Sequence, residues 1–192
     1  MAKKLRDFLR SDVNTGKMAI NSAIKDTKTI DNIKLLYRKQ NNYRDLLLFE
    51  IGINTGFALN DMLKLRVKDV KNKQYLVLEN SKTFPLNNNM KELILTLIKD
   101  KNNNDYIFST RQGKPLNRST VFNSFRNICT ELALHNYSVA SWRKTFAYHY
   151  YQKYKDLSYL QWLFNQSTVE QTLQFIGVNE NMNLRFREVV CL

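Results

Sequence analysis

Ser138-Val139-Ala140-Ser141-Trp142-Arg143-Lys144-Thr145-Phe146 and, further along, Asn165-Gln166-Ser167-Thr168 running on to Thr172-Leu173-Gln174-Phe175-Ile176-Gly177-Val178 are the stretches on which the fold turns. Each carries small, hydroxyl-bearing residues ahead of aromatic and aliphatic ones at helical spacing. Helices are expected over 141–154, 157–164 and 169–175. Arg143 and Lys144 then stand side by side near the start of the first of them.

Working outward, helical patterning also covers 118–134 and 90–98, with a further tail helix expected over 182–190. Upstream, Asp31 is expected to cap a helix bearing Ile33, Leu36 and Tyr37. Asn42 should begin a second helix through Leu46-Leu47-Leu48-Phe49-Glu50-Ile51-Gly52-Ile53, apolar nearly all round and therefore central to the core. Thr55-Gly56 should end it, and Asn60 should cap a short helix. The period changes to two in Gln74–Glu79 and Thr83–Leu86, read as strands joined by a tight turn at Asn80-Ser81-Lys82. Tyr106-Ile107-Phe108 is a further strand candidate. The expected fold class is mainly α (α+β): a helical domain with one small antiparallel sheet. Residues 1–28 are expected to form an arm or short helical extension, and 29–192 a single domain.

The chain has 192 residues, 43% hydrophobic and 24% charged, enough for one domain with a proper core. Thirty Lys and Arg against seventeen Asp and Glu give a net charge of +13. Such an excess favours polyanions as partners and speeds encounter with them. No apolar run approaches the roughly 20 residues needed to span a bilayer, so no membrane role is expected. Cys129 and Cys191 lie far apart, without metal-ligand spacing, as in a reducing cytosol. No cofactor or metal is implied.

Four local matches, in order, resemble the catalytic domain of the tyrosine recombinase (phage integrase) family over about residues 29–178. Asn54-Thr55-Gly56-Phe57-Ala58-Leu59-Asn60-Asp61-Met62-Leu63-Lys64-Leu65 resembles the family's first box, T-G-L-R-I-S-D-L-L-x-L. The hairpin ending Phe84-Pro85-Leu86-Asn87 resembles the strand after the family's catalytic lysine. Trp142-Arg143-Lys144-Thr145-Phe146 resembles H-x-L-R-[HK]-T-F. Leu163 through Ile176 resembles L-x-G-H-S-S…T-x-x-Y. The resemblance implies a reaction in which a tyrosine hydroxyl attacks a DNA phosphate. Two arginines would clamp the phosphate oxygens, while a lysine and histidines handle protons.

Against that pattern, Ala58 stands where the first arginine is expected, Ala140 where the second box has histidine, and Gln166 where a later histidine or tryptophan is usual. Phe175, which has no oxygen, stands at the nucleophile. Arg143 is kept, and Lys82 is the nearest candidate for the lysine. Tyr148, Tyr150, Tyr151 and His149 fall within a patterned helix, where packing is their expected role. These departures lead to the expectation of a protein that is not an enzyme.

DNA contacts are expected from Lys82, Arg111, Lys114, Arg118, Ser119, Arg143 and Lys144. Ordinary alternatives stay open: an ion pair for Arg143, a solvated turn for Lys82, an exposed loop for 110–120. Double-stranded DNA is the expected partner, in a bacterial cytoplasm or nucleoid, with a homodimer through the C-terminal tail as one arrangement and self-docking of that tail as another. The expected function is a non-catalytic DNA-binding regulator or repressor of a phage or mobile element. The alternatives are a silent subunit, inhibitor or accessory factor of an active recombinase, and a divergent active recombinase.

Overall fold

Helix α2 (Tyr43–Thr55) is the centre of the molecule, because seven consecutive positions from Leu46 to Gly52 are buried. A surface helix needs only one apolar stripe, so this run fits only where neighbours close in on every side. The computed structural model describes residues 21–77 and 82–177. Before α2 lies α1 (Thr27–Lys39), and after it come α3 (Leu59–Leu63) and α4 (Val67–Val70). The strands β1 (Tyr75–Val77) and β2 (Thr83–Pro85) follow, then α5 (Asn88–Ile98), α6 (Arg118–Glu131), α7 (Val139–Tyr154), α8 (Leu157–Phe164) and α9 (Val169–Ile176). Helices α5, α7 and α1 all pack on α2. The architecture is mainly helical with one small antiparallel sheet, as the periodicities imply.

Helix starts are where the structure departs from the sequence pattern. Asp26, not Asp31, caps α1: its carboxylate accepts from the Lys28 and Thr29 amides at 3.2 and 3.0 Å. Asp31 lies one turn inside, exposed. The boundary expected at residue 28 therefore falls within α1, and Ile24 ahead of it is fully buried in the main core. Ala58, not Asn60, precedes α3, with no side-chain cap at all. Helix α7 begins earlier than expected because Ser138 and Ser141 cap reciprocally. Ser138 Oγ accepts from the Ala140 amide, and the Ser138 amide donates to Ser141 Oγ, each at 3.1 Å.

The hairpin pairs Tyr75 with Pro85, Leu76 with Phe84 and Val77 with Thr83. Leu76 and Phe84 are buried while their strand neighbours are exposed, the alternation of a half-buried sheet. The turn at 78–81 lies outside the described residues, as do the 1–20 part of the arm, the tail helix at 182–190 and Cys191. Tyr106-Ile107-Phe108 makes no strand, only an isolated bridge from Tyr106 to Arg66. Its Tyr106 and Ile107 carbonyls accept from the Lys101 ammonium, each at 2.8 Å, while the Ile107 amide donates to the Leu65 carbonyl at 3.0 Å and the Phe108 carbonyl accepts from the Leu116 amide at 2.8 Å. The segment is held by single contacts to different neighbours rather than by a ladder.

Two apolar clusters result. The larger contains Phe49, Phe125 and Trp142, with Trp142 edge-on to both other rings at 5.7 and 5.2 Å. The smaller joins α7, α8 and α9 through Ala147, Tyr151, Leu160, Leu173 and Ile176. Tyr148, Tyr150 and Tyr151 belong to this packing, and His149 Nε2 lies 3.0 Å from the Ile24 carbonyl. No helix among the described residues is long and apolar enough to cross a membrane.

Candidate functional site

Arg143 is positioned by the residue before it. Trp142 is driven into the core against α2, where only the missing side chain of Gly52 leaves room: a Cβ there would lie 2.8 Å from Trp142 Cε3. The next side chain on α7, about 100° round the helix, points toward the turn between α2 and α3. There Arg143 Nε donates to the Gly56 carbonyl at 2.8 Å, and the guanidinium lies over the Phe164 ring, 4.8 Å from its centroid. Burial lowers the Arg143 pKa from the ordinary guanidinium value, and the Asp61 carboxylate pulls the opposite way. An arginine in such a setting stays protonated. Arg143 makes no ion pair among the described residues, and its terminal nitrogens donate no hydrogen bond there.

Lys82, at the foot of β2, reaches the last turn of α8. Its ammonium donates to the Leu163 carbonyl at 2.7 Å and lies 3.4 Å from the Trp162 carbonyl and 3.3 Å from Asn165 Oδ1. A cation here answers the partial negative charge of a helix C-terminus. Asn165 adopts the left-handed conformation (φ 54°) that ends α8 and turns its side chain to Lys82. Lys82 is therefore not a solvated turn lysine but a tie between hairpin and helix.

Between these two cations lies a cavity of about 530 Å³, walled by Gly56, Ala58, Asp61, Lys82, Arg143 and Asn165. Lys64 and Lys68 lie at its edge, whereas Arg66 is engaged by Tyr106, with Nη2 3.0 Å from the hydroxyl and the guanidinium over the ring. The structure thus brings Ala58, Arg143 and Lys82 together. Phe175 lies next to them through a chain of rings: it packs on Phe164 at 4.9 Å, Phe164 underlies Arg143, and Lys144 Nζ sits 5.7 Å from the Phe175 centroid. Gln166 is partly buried, its Oε1 without a hydrogen-bond partner among the described residues. Ala140 is exposed on the first turn of α7 and does not line the cavity. Arg111 and Lys114 lie on an exposed turn, and Arg118 and Ser119 on the exposed start of α6, none of them lining it.

Gly56, Asp61, Phe164 and Asn165 complete the site; all four fall within the motifs that carry the family resemblance, but none is given a site role by it. Asn165 carried a readable signal, an asparagine ending an apolar helical run. Phe164 lies in a quoted motif, but its place beneath Arg143 has no local signal, since the two are remote in the chain.

Over residues 25–182 the chain matches the phage integrase family, and it belongs to that family. It is 35% identical over 170 residues to the "Probable integrase/recombinase YoeC" of Bacillus subtilis (strain 168), covering 85% of this chain and 93% of that protein. Among solved structures, XerA recombinase superposes with a TM-score of 0.71 at 13% identity, over 90% of this chain and 65% of that one. XerH site-specific recombinase, solved bound to a palindromic difH substrate in a post-cleavage complex, gives 0.67 at 18%, over 88% and 52%. This chain thus spans less than two thirds of either recombinase, and the likeness to them is one of fold.

The expectation of a protein that is not an enzyme, drawn from Ala58, Ala140, Gln166 and Phe175, is corrected by these relations. The relative matched along nearly its whole length is named a "Probable integrase/recombinase", and the family is one of DNA recombinases. The description as a pseudoenzyme falls with it, and no observation is specific to repression or transcriptional control.

Proposed function

We propose that this chain is a DNA-recombination protein that engages duplex DNA by seating a backbone phosphate in the cavity between Arg143 and Lys82. The observation that carries this reading is Arg143 itself. Its Nε is fixed on the Gly56 carbonyl and its plane on Phe164, while its terminal nitrogens remain for a ligand. A preorganised guanidinium suits a phosphate better than a mobile cation, since its fork loses little freedom on binding. Lys144, Arg111, Lys114, Arg118 and Ser119 would add contacts farther along the backbone, in keeping with the net charge of +13.

The test is a salt titration of duplex binding. A protein neutralising several phosphates weakens steeply as salt rises. Arg143→Ala should lower affinity for all duplexes by about tenfold or more and flatten the salt slope by roughly one phosphate. Unchanged affinity and slope would remove the cavity from the DNA interface.

A second reading is favoured by Phe175, whose ring offers no oxygen for attack. On that reading the chain works as one subunit of a recombining assembly in which another recombinase supplies the hydroxyl. Suicide DNA substrates that trap covalent adducts distinguish the two cases. An adduct on this chain alone rejects the need for a partner, and an adduct formed only when a partner is added supports it.

A further inference from the structure

Beside the cavity runs a row of aromatic rings that the phosphate site does not use. Tyr154 packs on Tyr150 at 4.8 Å, Tyr150 stacks on Tyr159 at 4.8 Å and 27°, and Tyr159 meets Trp162 at 5.7 Å. The two middle rings lean on the smaller core cluster and have an evident structural purpose. The two ends do not: Tyr154 is 56% exposed and Trp162 55%. Large rings left this open are costly in water, and two of them at the ends of one stacked row form a patch rather than a scatter.

Charge decides what kind of partner fits. Lys82 Nζ lies 5.1 Å from the Trp162 centroid and Lys153 Nζ 5.1 Å from that of Tyr154. The nearby carboxylate, Asp156, is occupied as the cap of α8, accepting from the Tyr159 amide at 2.9 Å. An apolar helix gains nothing from lysines at both ends of its seat, whereas a nucleic acid strand does. Paired bases show only their edges in the grooves, so a ring face can be met only by a base outside the duplex stack. Lys82 also links this row to the cavity, since the same ammonium touches the Trp162 ring and the Leu163 carbonyl.

We infer that Tyr154 and Trp162 form a stacking platform for unpaired bases of single-stranded DNA, continuous through Lys82 with the phosphate cavity. The inference rests on the reading that the chain is a DNA-binding protein, and adds a second, base-directed site to it.

The chain contains two tryptophans, and Trp142 is only 1% exposed. Quenching of the accessible emission therefore reports on Trp162. The full chain is titrated with an oligo-dT strand, an abasic strand of the same length, and a duplex. Oligo-dT should quench the accessible emission and bind about tenfold more tightly than the abasic strand. Tyr154→Ala and Trp162→Ala should each weaken oligo-dT by about tenfold by anisotropy, and Tyr154→Phe should restore binding. Equal binding of the dT and abasic strands would overturn the proposal, as would alanine variants that bind as the parent does. Emission that becomes shielded with rising protein concentration and no DNA would overturn it too, and would point to a second copy as the occupant. Loss of duplex binding with oligo-dT quenching intact would sink only the cavity reading. Duplex binding without any base dependence would sink only this one.

Discussion

Replacing Gly56 with alanine tests the link between core packing and site geometry. Gly56 has φ 68°, a region where a side chain costs about 1–2 kcal/mol. A Cβ would also lie 2.8 Å from Phe146 Cδ1 and 3.1 Å from Phe164 Cε1 and Cζ. Both rings are held on other sides, Phe146 by Phe84 and Tyr150 and Phe164 by Phe175, so relief must come through packing shifts of about 1–3 kcal/mol. Gly113 supplies the control. It has φ 75° and nothing within 4 Å of a built Cβ, so Gly113→Ala carries the backbone cost alone. Thermal or urea unfolding of both variants, followed by circular dichroism, should place Gly56→Ala about 1–3 kcal/mol below Gly113→Ala. That corresponds to roughly 2–12 °C in midpoint for a chain of this size. Gly56→Ala should also weaken duplex binding, because the carbonyl that holds Arg143 Nε belongs to the same residue. Equal stabilities of the two variants would show that the rings around Gly56 yield freely, and would refute the argument that they fix the site.

Lys34→Met should destabilise by about 3 kcal/mol in urea melts, because Glu50 is 1% exposed and its carboxylate, 3.1 Å from Lys34 Nζ, would lose its cation; the double variant with Glu50→Leu should recover much of the loss. Asp26 has its pKa lowered below the usual carboxylate value, first by the Thr29 hydroxyl and then by the Lys28 amide. Its folded value being the lower one, its stabilising contribution is present above the unfolded value and disappears as pH falls through the folded value. Asp26→Asn, which keeps a cap, should flatten the acid limb of the stability profile, and an unchanged limb would show that Asp26 does not shape it. Burial pushes the Cys129 thiol up to about 11, so in a Cys191→Ser background a disulfide reagent at pH 8 should react only as fast as the chain opens. Immediate labelling would contradict the packing of Cys129 in the main core.

Local periodicity exposed most of the helical framework and the hairpin, because those patterns repeat within a few residues. Helix α8 falls where its apolar run implies, 157–164, since Asp156 and Asn165 punctuate it clearly. The start of α1 was harder to read: Asp26 and Asp31 are the same residue type near the same apolar pattern, and which one caps depends on where Ile24 is anchored. The Ile24 amide donates to Thr145 Oγ1 at 2.9 Å, a contact spanning most of the chain. Tyr106-Ile107-Phe108 has the composition of a strand, yet the side chain of nearby Lys101 takes two of its carbonyls, a contact that a period-two pattern does not reveal. The site divides in the same way. Ala58, Arg143 and Lys82 could be marked by motif, but the carbonyls that Lys82 holds and the ring beneath Arg143 belong to α8, and nothing in the neighbouring sequence of either residue points there.

The wedge of Trp142 against Gly52 has a consequence for how variation in this chain should be interpreted. It acts as a key that sets the rotation of α7 about its own axis, and Arg143 takes its heading from that setting. A change at Phe49, Phe125 or Gly52, none of which lines the cavity, would re-aim the guanidinium as surely as a change beside it. Variants that retain the fold but bind DNA poorly are therefore to be sought in the aromatic interior as well as on the basic surface.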